Sequence, residues 1–390
     1  MNDVLNRQEH MNSIWTTEEV FFDGESYFDR LIHDIHTART LITLEVYIFN
    51  DDVLGQRIAD ALKAASHRGV KIQIIVDGVG SSGFFRRLYT FFENENIPVK
   101  VYNPLPFLHP YYRKISWSEK IHAFFIRMIR LNKRDHRKII TIDENCMYSG
   151  SFNITSDHIN LKGRKAWKDL GIRVSGEQVK FAVLNFKLVW KLVDYYRYRK
   201  YLKHKKILSW KQSPIQLNHT LVMKRFFRIN FVNKMNLTHQ RVWLMTPYFI
   251  PGRGFIRSMA RAAKRGVDVR LIISSKPDVK IFRTLQSFYF LFLIKSGVQI
   301  FEYNETVLHA KNYILDDWMT VGSTNLNHRS LMHDLEVDLV IQKEENSKAL
   351  EKHFLTLTQG TEPLTLAELK KKSIWDMALS RLYFLFRYWL

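Results

Sequence analysis

The chain has 390 residues, an apolar share of 46% and a formal net charge of +21 at pH 7. That length accommodates two core-bearing domains of roughly 100–200 residues each, and the apolar share excludes a disordered chain. The charge predicts an anionic partner, whether nucleic acid, an anionic membrane surface or a phosphorylated substrate, while the single cysteine, Cys146, excludes an intrachain disulfide framework and fits a reducing compartment.

Residues 1–18 read as a polar arm with neither the basic nor the apolar region of a signal peptide. Nowhere do about 18 or more apolar residues run together, so no spanning helix is expected. A short strand at Val20–Phe22 leads to a helix with Phe28, Leu31, Ile32 and Ile35 on one face. The β-rich run from Leu41 to Phe49 carries Glu45 among apolar residues. A second helix stops at Arg68-Gly69, and a strand from Val70 to Val76 follows.

The same order recurs about 200 residues later: a strand from Arg241 to Ile250, a helix stopped at Arg265-Gly266, and a strand from Val267 to Ile273. R-G-V-K-I-Q-I-I-V and R-G-V-D-V-R-L-I-I match in character at each position. An internal duplication of a β/α unit predicts an α/β fold of two lobes, each a mostly parallel sheet flanked by helices. The halves are expected at 19–212 and 213–370, joined near Pro214. The first half carries an extra stretch at 104–135, in which Ile121 to Leu131 is amphipathic and basic. The tail, 371–390, has the Trp, Phe, Tyr and Arg content of a helix lying in a membrane interface. The run F-Y-F-L-F-L-I within 282–294 reads equally well as a buried or a lipid-facing helix.

Each half contains one chemically loaded stretch. His136, Lys138 and Asp143 precede Gly150-Ser151-x-Asn153; His309, Lys311 and Asp316 precede Gly322-Ser323-x-Asn325. On a strand, residues two apart share a face, so each His-x-Lys aims an imidazole and an ammonium at one spot. One imidazole can attack phosphorus while its twin protonates the departing oxygen. The lysines, Asn153, Asn325, Ser151 and Ser323 can bind the non-bridging oxygens of substrate. No metal and no cofactor are expected, since neither motif offers clustered His and carboxylate ligands. Asp143 and Asp316 fall out of phase with the His–Lys pairs and are expected to brace the architecture through ion pairs. Asp169 and Glu336, further along each half, are the carboxylates expected to orient the histidines.

H-R-K-I-I-T-I-D with G-S-F-N, and H-A-K-N-Y-I-L-D with G-S-T-N, resemble the paired HKD motifs of the phospholipase D superfamily. The segments E-V-Y-I-F-N-D-D, T-P-Y-F-I-P and N-L-N-H-R-S-L-x-x-D-L-E are similar to those of bacterial cardiolipin synthases, in the branch without N-terminal transmembrane helices. The resemblance implies two phospholipase D-like lobes with one active site at their interface, in which the HKD residues are catalytic. It implies phosphatidyl transfer through a phosphohistidine on His136, with His309 as acid and base. One phosphatidylglycerol, or a phosphatidylethanolamine, would act as donor to a second phosphatidylglycerol, releasing glycerol. The partner would be an anionic phospholipid membrane, bound peripherally at the cytoplasmic face of the cell membrane, and no nucleic acid is expected. The alternative is a phosphodiesterase hydrolysing phospholipid or nucleic acid, with water replacing the alcohol. A single chain holds both half-sites, so catalysis needs no dimer. The turn after Asp316 is one residue shorter than that after Asp143, which puts the strand register there in question.

Overall fold

The computed structural model describes residues 15–104, 133–193, 213–279 and 281–370. Most of the expected arm, nearly all of the 104–135 insertion, the link before 213 and the tail 371–390 lie outside the described residues.

In the first lobe the strands are β1 (Thr17–Phe21), β2 (Leu41–Val46), β3 (Lys71–Asp77), β4 (Val99–Tyr102), β5 (Lys138–Ile142), β6 (Cys146–Gly150) and β7 (Gly171–Ser175). They form one sheet in the order β1-β7-β6-β5-β2-β3-β4. The second lobe has β8 (Ile215–Leu217), β9 (Arg241–Met245), β10 (Phe249–Ile250), β11 (Asp268–Ser274), β12 (Gln299–Tyr303), β13 (Asn312–Leu315), β14 (Trp318–Gly322), β15 (Leu326–Asn327) and β16 (Val337–Val340). Its main sheet runs β12-β11-β9-β13-β14-β16-β8, and β10 pairs with β15 separately. Read from opposite ends, the two main sheets have the same connectivity, so the duplication is structural as well as sequential.

The sheets are mixed, which corrects the expectation of mostly parallel ones. In each, only the three strands built from the R-G-V unit are parallel; the other four pairings are antiparallel. The cause is local. Each His-x-Lys strand turns straight back on itself as a hairpin, and a tight turn can join only antiparallel neighbours.

The R-G-V repeat has an equally local explanation. The helices Val53–His67 and Arg253–Lys264 end where Gly69 and Gly266 take φ of +90° and +88°. A left-handed residue after the last turn satisfies the free carbonyls and releases the chain into the next strand, and glycine adopts it without a Cβ penalty. Two first-lobe helices have capped starts: Asp23, before Gly24–Thr37, and Asp52, before Val53–His67, accept from the backbone amides of Ser26 and Gly55 at 2.8 and 3.0 Å.

Each lobe has its own apolar core, and a third core joins them. It contains Ile139, Met147, Leu170, Ile172 and Val174 from the first sheet against Trp243, Met245, Ile272, Val321, Val337 and Leu339 from the second. Trp15 is buried in the same cluster and β1 begins at Thr17, so the last residues of the expected arm, 15–18, belong to the fold. The helix Ile281–Lys295 resolves its two readings by face. Leu285, Phe290 and Leu293 are buried, whereas Phe288, Leu291 and Phe292 are exposed. Among the described residues no helix is long and apolar enough to cross a membrane.

Glu45 finds its partner at the lobe interface. Arg137, fully buried, pairs with Glu45 and with Asp135 at 2.9 Å, and donates to His219 Nδ1 of the second lobe at 3.0 Å. Removing the cation strands two buried carboxylates. Arg137→Met should therefore cost on the order of 3–5 kcal/mol of stability, read from urea unfolding midpoints; a change below about 1 kcal/mol would show that the pair is inconsequential.

Candidate active site

Both His-x-Lys pairs lie where the two sheets meet, at the entrances of β5 and β13. Each histidine is anchored twice to the opposite lobe. The His136 amide donates to the Leu335 carbonyl at 3.0 Å, and the His309 amide to the Lys168 carbonyl at 2.8 Å. The residue following each of these carbonyls carries the carboxylate. Nδ1 of His136 is 3.0 Å from Glu336 Oε2, and Nδ1 of His309 is 2.7 Å from Asp169 Oδ2. Asp169 and Glu336 thus lie against the histidines they are expected to orient, and they are exchanged: each bonds the histidine of the other lobe. An unexchanged lobe would hold an unbraced imidazole, so the site exists only when the lobes are docked.

The Gly-Ser-x-Asn segments build the carboxylate seats. A Cβ on Gly150 would lie 2.5 Å from the Leu170 carbonyl, and one on Gly322 the same distance from that of Val337. The bare glycines let the carboxylate-bearing strands close in. The Ser151 hydroxyl then bonds Asp169, and that of Ser323 bonds Glu336. Both serines are fully buried. This corrects their expected role: they bind the orienting carboxylates rather than substrate. Asn153 and Asn325 are also buried, but among the described residues their Oδ1 atoms have no partner.

Asp143 and Asp316 stand at the far end of their strands, about 20 Å of extended chain from the histidines. Asp143 accepts from the backbone amides of Arg39, Thr40 and Leu41 at 2.9, 2.7 and 3.1 Å. Asp316 accepts from those of His239, Gln240 and Arg241 at 2.8, 3.0 and 2.9 Å. They lie away from the histidines, and their bonds go to backbone N–H groups and, for Asp143, to the Thr40 hydroxyl, where ion-pair partners are expected. Neither belongs with the reacting groups. Burial pushes both carboxyls up, and the amides more than offset it, leaving each below its ordinary value. A depressed folded value gives stability that is present above the unfolded value, roughly pH 4, and lost as pH falls through the folded one. Asp316→Ala should lose about 1–3 kcal/mol at neutral pH while the folded fraction keeps its turnover; a stability loss that stays undiminished under acid would contradict the brace.

The shortened turn leaves the register intact. Ile142 pairs with Cys146 across three turn residues, and Leu315 with Trp318 across two. Continued inward, both ladders set the motif lysine opposite the motif glycine, so the missing residue is absorbed at the turn.

The electrostatics are those of two neutral imidazoles between two cations. Burial, then Lys138 and Lys311, hold His136 well below its ordinary value. Burial and then Lys311 lower His309, against the pull of Asp169. Burial brings Lys138 down to about 7 and Lys311 down to about 8. The two carboxylates differ. Burial pushes Glu336 up to about 7, whereas for Asp169 the charge and hydrogen bond of His309, with His158 and Lys311, outweigh burial and keep it ionised. Lys311 Nζ also reaches His309 Nε2 at 2.9 Å, while Lys138 reaches the His136 carbonyl at 2.7 Å.

Three residues that the motifs did not point to complete the surroundings. The Tyr47 ring lies 4.6 Å from that of His136, with Lys138 Nζ 5.1 Å from its centroid. Trp167 packs 5.8 Å from His309. His158, Asp169 and His309 bring ligand-type atoms within 4.8 Å of one another, the one such cluster among the described residues. Lys311 and Lys138 make its setting cationic, which opposes a divalent ion.

The two-lobed sheet pair and its facing His–Lys pairs define a phosphatidyltransferase of the phospholipase D superfamily. The family described as "Cardiolipin synthase, PLD-like domain" matches residues 31–164 and 231–358. The chain belongs to that family. It is 29% identical over 370 residues to a cardiolipin synthase of Staphylococcus aureus, covering 92% of this chain and 70% of that one. To cardiolipin synthase B of Escherichia coli it is 28% identical over 378 residues, covering 93% and 86%. In structure it is similar to the phosphatidylserine synthase of Haemophilus influenzae, with a TM-score of 0.68 at 14% identity over 96% of this chain and 95% of that one. A polyphosphate kinase of Porphyromonas gingivalis has a TM-score of 0.55 at 11% identity, over 95% of this chain and 56% of that one.

Proposed function

We propose that the chain makes cardiolipin by transferring a phosphatidyl group from one phosphatidylglycerol to another through a phosphohistidine on His136. The supporting observation is the unequal bracing of two otherwise equivalent imidazoles. His136 sits on Glu336, a carboxylate that burial makes a weak counter-anion, and among the described residues nothing caps its Nε2. It is the neutral nucleophile. His309 sits on ionised Asp169 and is the imidazole better able to take up a proton once an anionic phosphodiester enters.

Nε2 of His136 attacks phosphorus, the bond from phosphorus to the glycerol oxygen breaks, and Nε2–H of His309 gives its proton to that oxygen. A hydroxyl of the second phosphatidylglycerol then loses its proton to His309 and attacks the same phosphorus, and the bond to His136 breaks. Two phosphatidylglycerols become one cardiolipin and one glycerol. Lys138, Lys311, Asn153 and Asn325 hold the non-bridging oxygens, where charge must be borne through both displacements.

The net charge of +21 favours work at an anionic lipid surface, where each Lys or Arg contributes on the order of 1 kcal/mol. Incubation with phosphatidylglycerol vesicles should yield cardiolipin and glycerol in equal amounts. Phosphatidic acid without cardiolipin would make the protein a hydrolase, and cleavage of DNA or RNA without lipid turnover would make it a nuclease.

A further inference from the structure

His158 is a third buried histidine at the site, and the mechanism above does not use it. Its side chain is inaccessible to solvent, and among the described residues neither ring nitrogen makes a full hydrogen bond. Nδ1 nevertheless lies 3.2 Å from Asp169 Oδ2, the same oxygen that holds His309. The two imidazole centroids are 5.7 Å apart, and Trp167 packs against both, 5.6 Å from His158 and 5.8 Å from His309. The backbone there is fixed: a Cβ on Gly24 would lie 1.9 Å from the His158 carbonyl, so the helix Gly24–Thr37 starts directly against it. A buried ring N–H with no partner is destabilising, and Asp169 is the carboxylate within its reach.

The duplication supplies the comparison. His158 is the fifth residue after Asn153; the fifth after Asn325 is Ser330, which is buried near Glu336 and draws its carboxyl down. Each orienting carboxylate therefore accepts from the motif serine and has the residue at this position beside it. In one half-site that residue is a hydroxyl. In the other it is an imidazole.

We infer that His158 is a positioning residue for His309, acting through Asp169: its Nδ1–H donates to Oδ2 and holds the carboxylate in place beneath the catalytic imidazole. It is the substitution that makes the two half-sites unequal, favouring proton transfer at His309. The bond is loose in the free protein and tightens as charge develops, a common behaviour of catalytic hydrogen bonds. The inference rests on the assignment of His309 as acid and base.

The test compares His158→Phe, which removes the donor, with His158→Asn, whose amide nitrogen falls where Nδ1 was, and His158→Gln, whose amide nitrogen falls where Nε2 was. On phosphatidylglycerol vesicles the Phe and Gln proteins should lose about 10–100-fold in kcat with KM within about twofold, and the Asn protein should recover most of the rate. In substrate-free, 15N-histidine-labelled protein, the His309 Nδ1 proton should exchange slowly in wild type and His158→Asn and be lost to exchange in His158→Phe. A Phe protein with wild-type kcat, equal losses for Phe and Asn, or an unchanged His309 proton in the Phe protein would each overturn the inference. If wild type turns over no lipid, the proposed function fails, and the proton-exchange comparison still decides the role of His158.

Discussion

His136→Ala should lower phosphatidyl transfer by about four orders of magnitude or more, because in the proposed division of roles His136 is the group that forms the covalent intermediate. The loss should appear in kcat, with binding to phosphatidylglycerol vesicles unchanged. His309→Ala should be conditional in a way that His136→Ala is not. A proton donor contributes typically 10²–10⁴-fold, and that contribution disappears when the leaving group needs no proton. With a phosphatidyl ester of 4-nitrophenol, His309→Ala should release nitrophenol in a first turnover near the wild-type rate, while His136→Ala releases none. Equal impairment of both variants on this ester would remove the division of roles.

Asp169→Asn should be the most damaging change at any residue that does not touch substrate, costing on the order of 10³-fold or more in kcat. The amide nitrogen would face Nδ1 of His309, 2.7 Å from the atom it replaces. The imidazole would then turn its lone pair to that amide and carry its proton on Nε2 in the resting state. Glu336→Gln should cost at least tenfold less, since burial already pushes Glu336 up to about 7 and much of it is protonated near neutral pH. Steady-state rates for the two variants decide the point. Equal losses would mean that the half-sites are electrostatically equivalent and that the unequal bracing has no catalytic meaning.

What could be read from the sequence was what repeats along it. The two His-x-Lys motifs, their glycines and the R-G-V units are local patterns, and each folds locally as its chemistry requires. Alternation along a strand was enough to move Asp143 and Asp316 away from the reacting atoms. It could not say what they bind, because backbone amides have no sequence signature, and so ion pairs were expected in their place. The parallel count was too high because the R-G-V units were extended to whole sheets, although the turn after each motif already implied an antiparallel return. Ser151 and Ser323 were placed on substrate because a hydroxyl beside an asparagine reads as a phosphate donor. Only the closeness of β7 and β16, set by Gly150 and Gly322, turns those hydroxyls to the carboxylates.

Two features were beyond one-dimensional reading. The exchange of Asp169 and Glu336 between lobes is a tertiary fact, carried by the pairing of Lys168 with Leu308 and of Asp135 with Leu335. His158 left a signal that could have been used: aligned on Asn153 and Asn325, it falls opposite Ser330. A histidine where the repeat has a serine, at a position facing an orienting carboxylate, is a difference that only the duplication makes visible.

In the proposed mechanism one histidine carries the phosphatidyl group and the other moves protons. The direct measurement is to react the His309→Ala and His136→Ala proteins with the 4-nitrophenyl ester, quench in alkali and map the adduct by peptide mass spectrometry. A phosphatidyl group should appear on the peptide containing His136 in the first protein, and no adduct in the second. A phosphatidyl group on His309 in the His136→Ala protein, or a nitrophenol burst from His309→Ala without an adduct on His136, would contradict it.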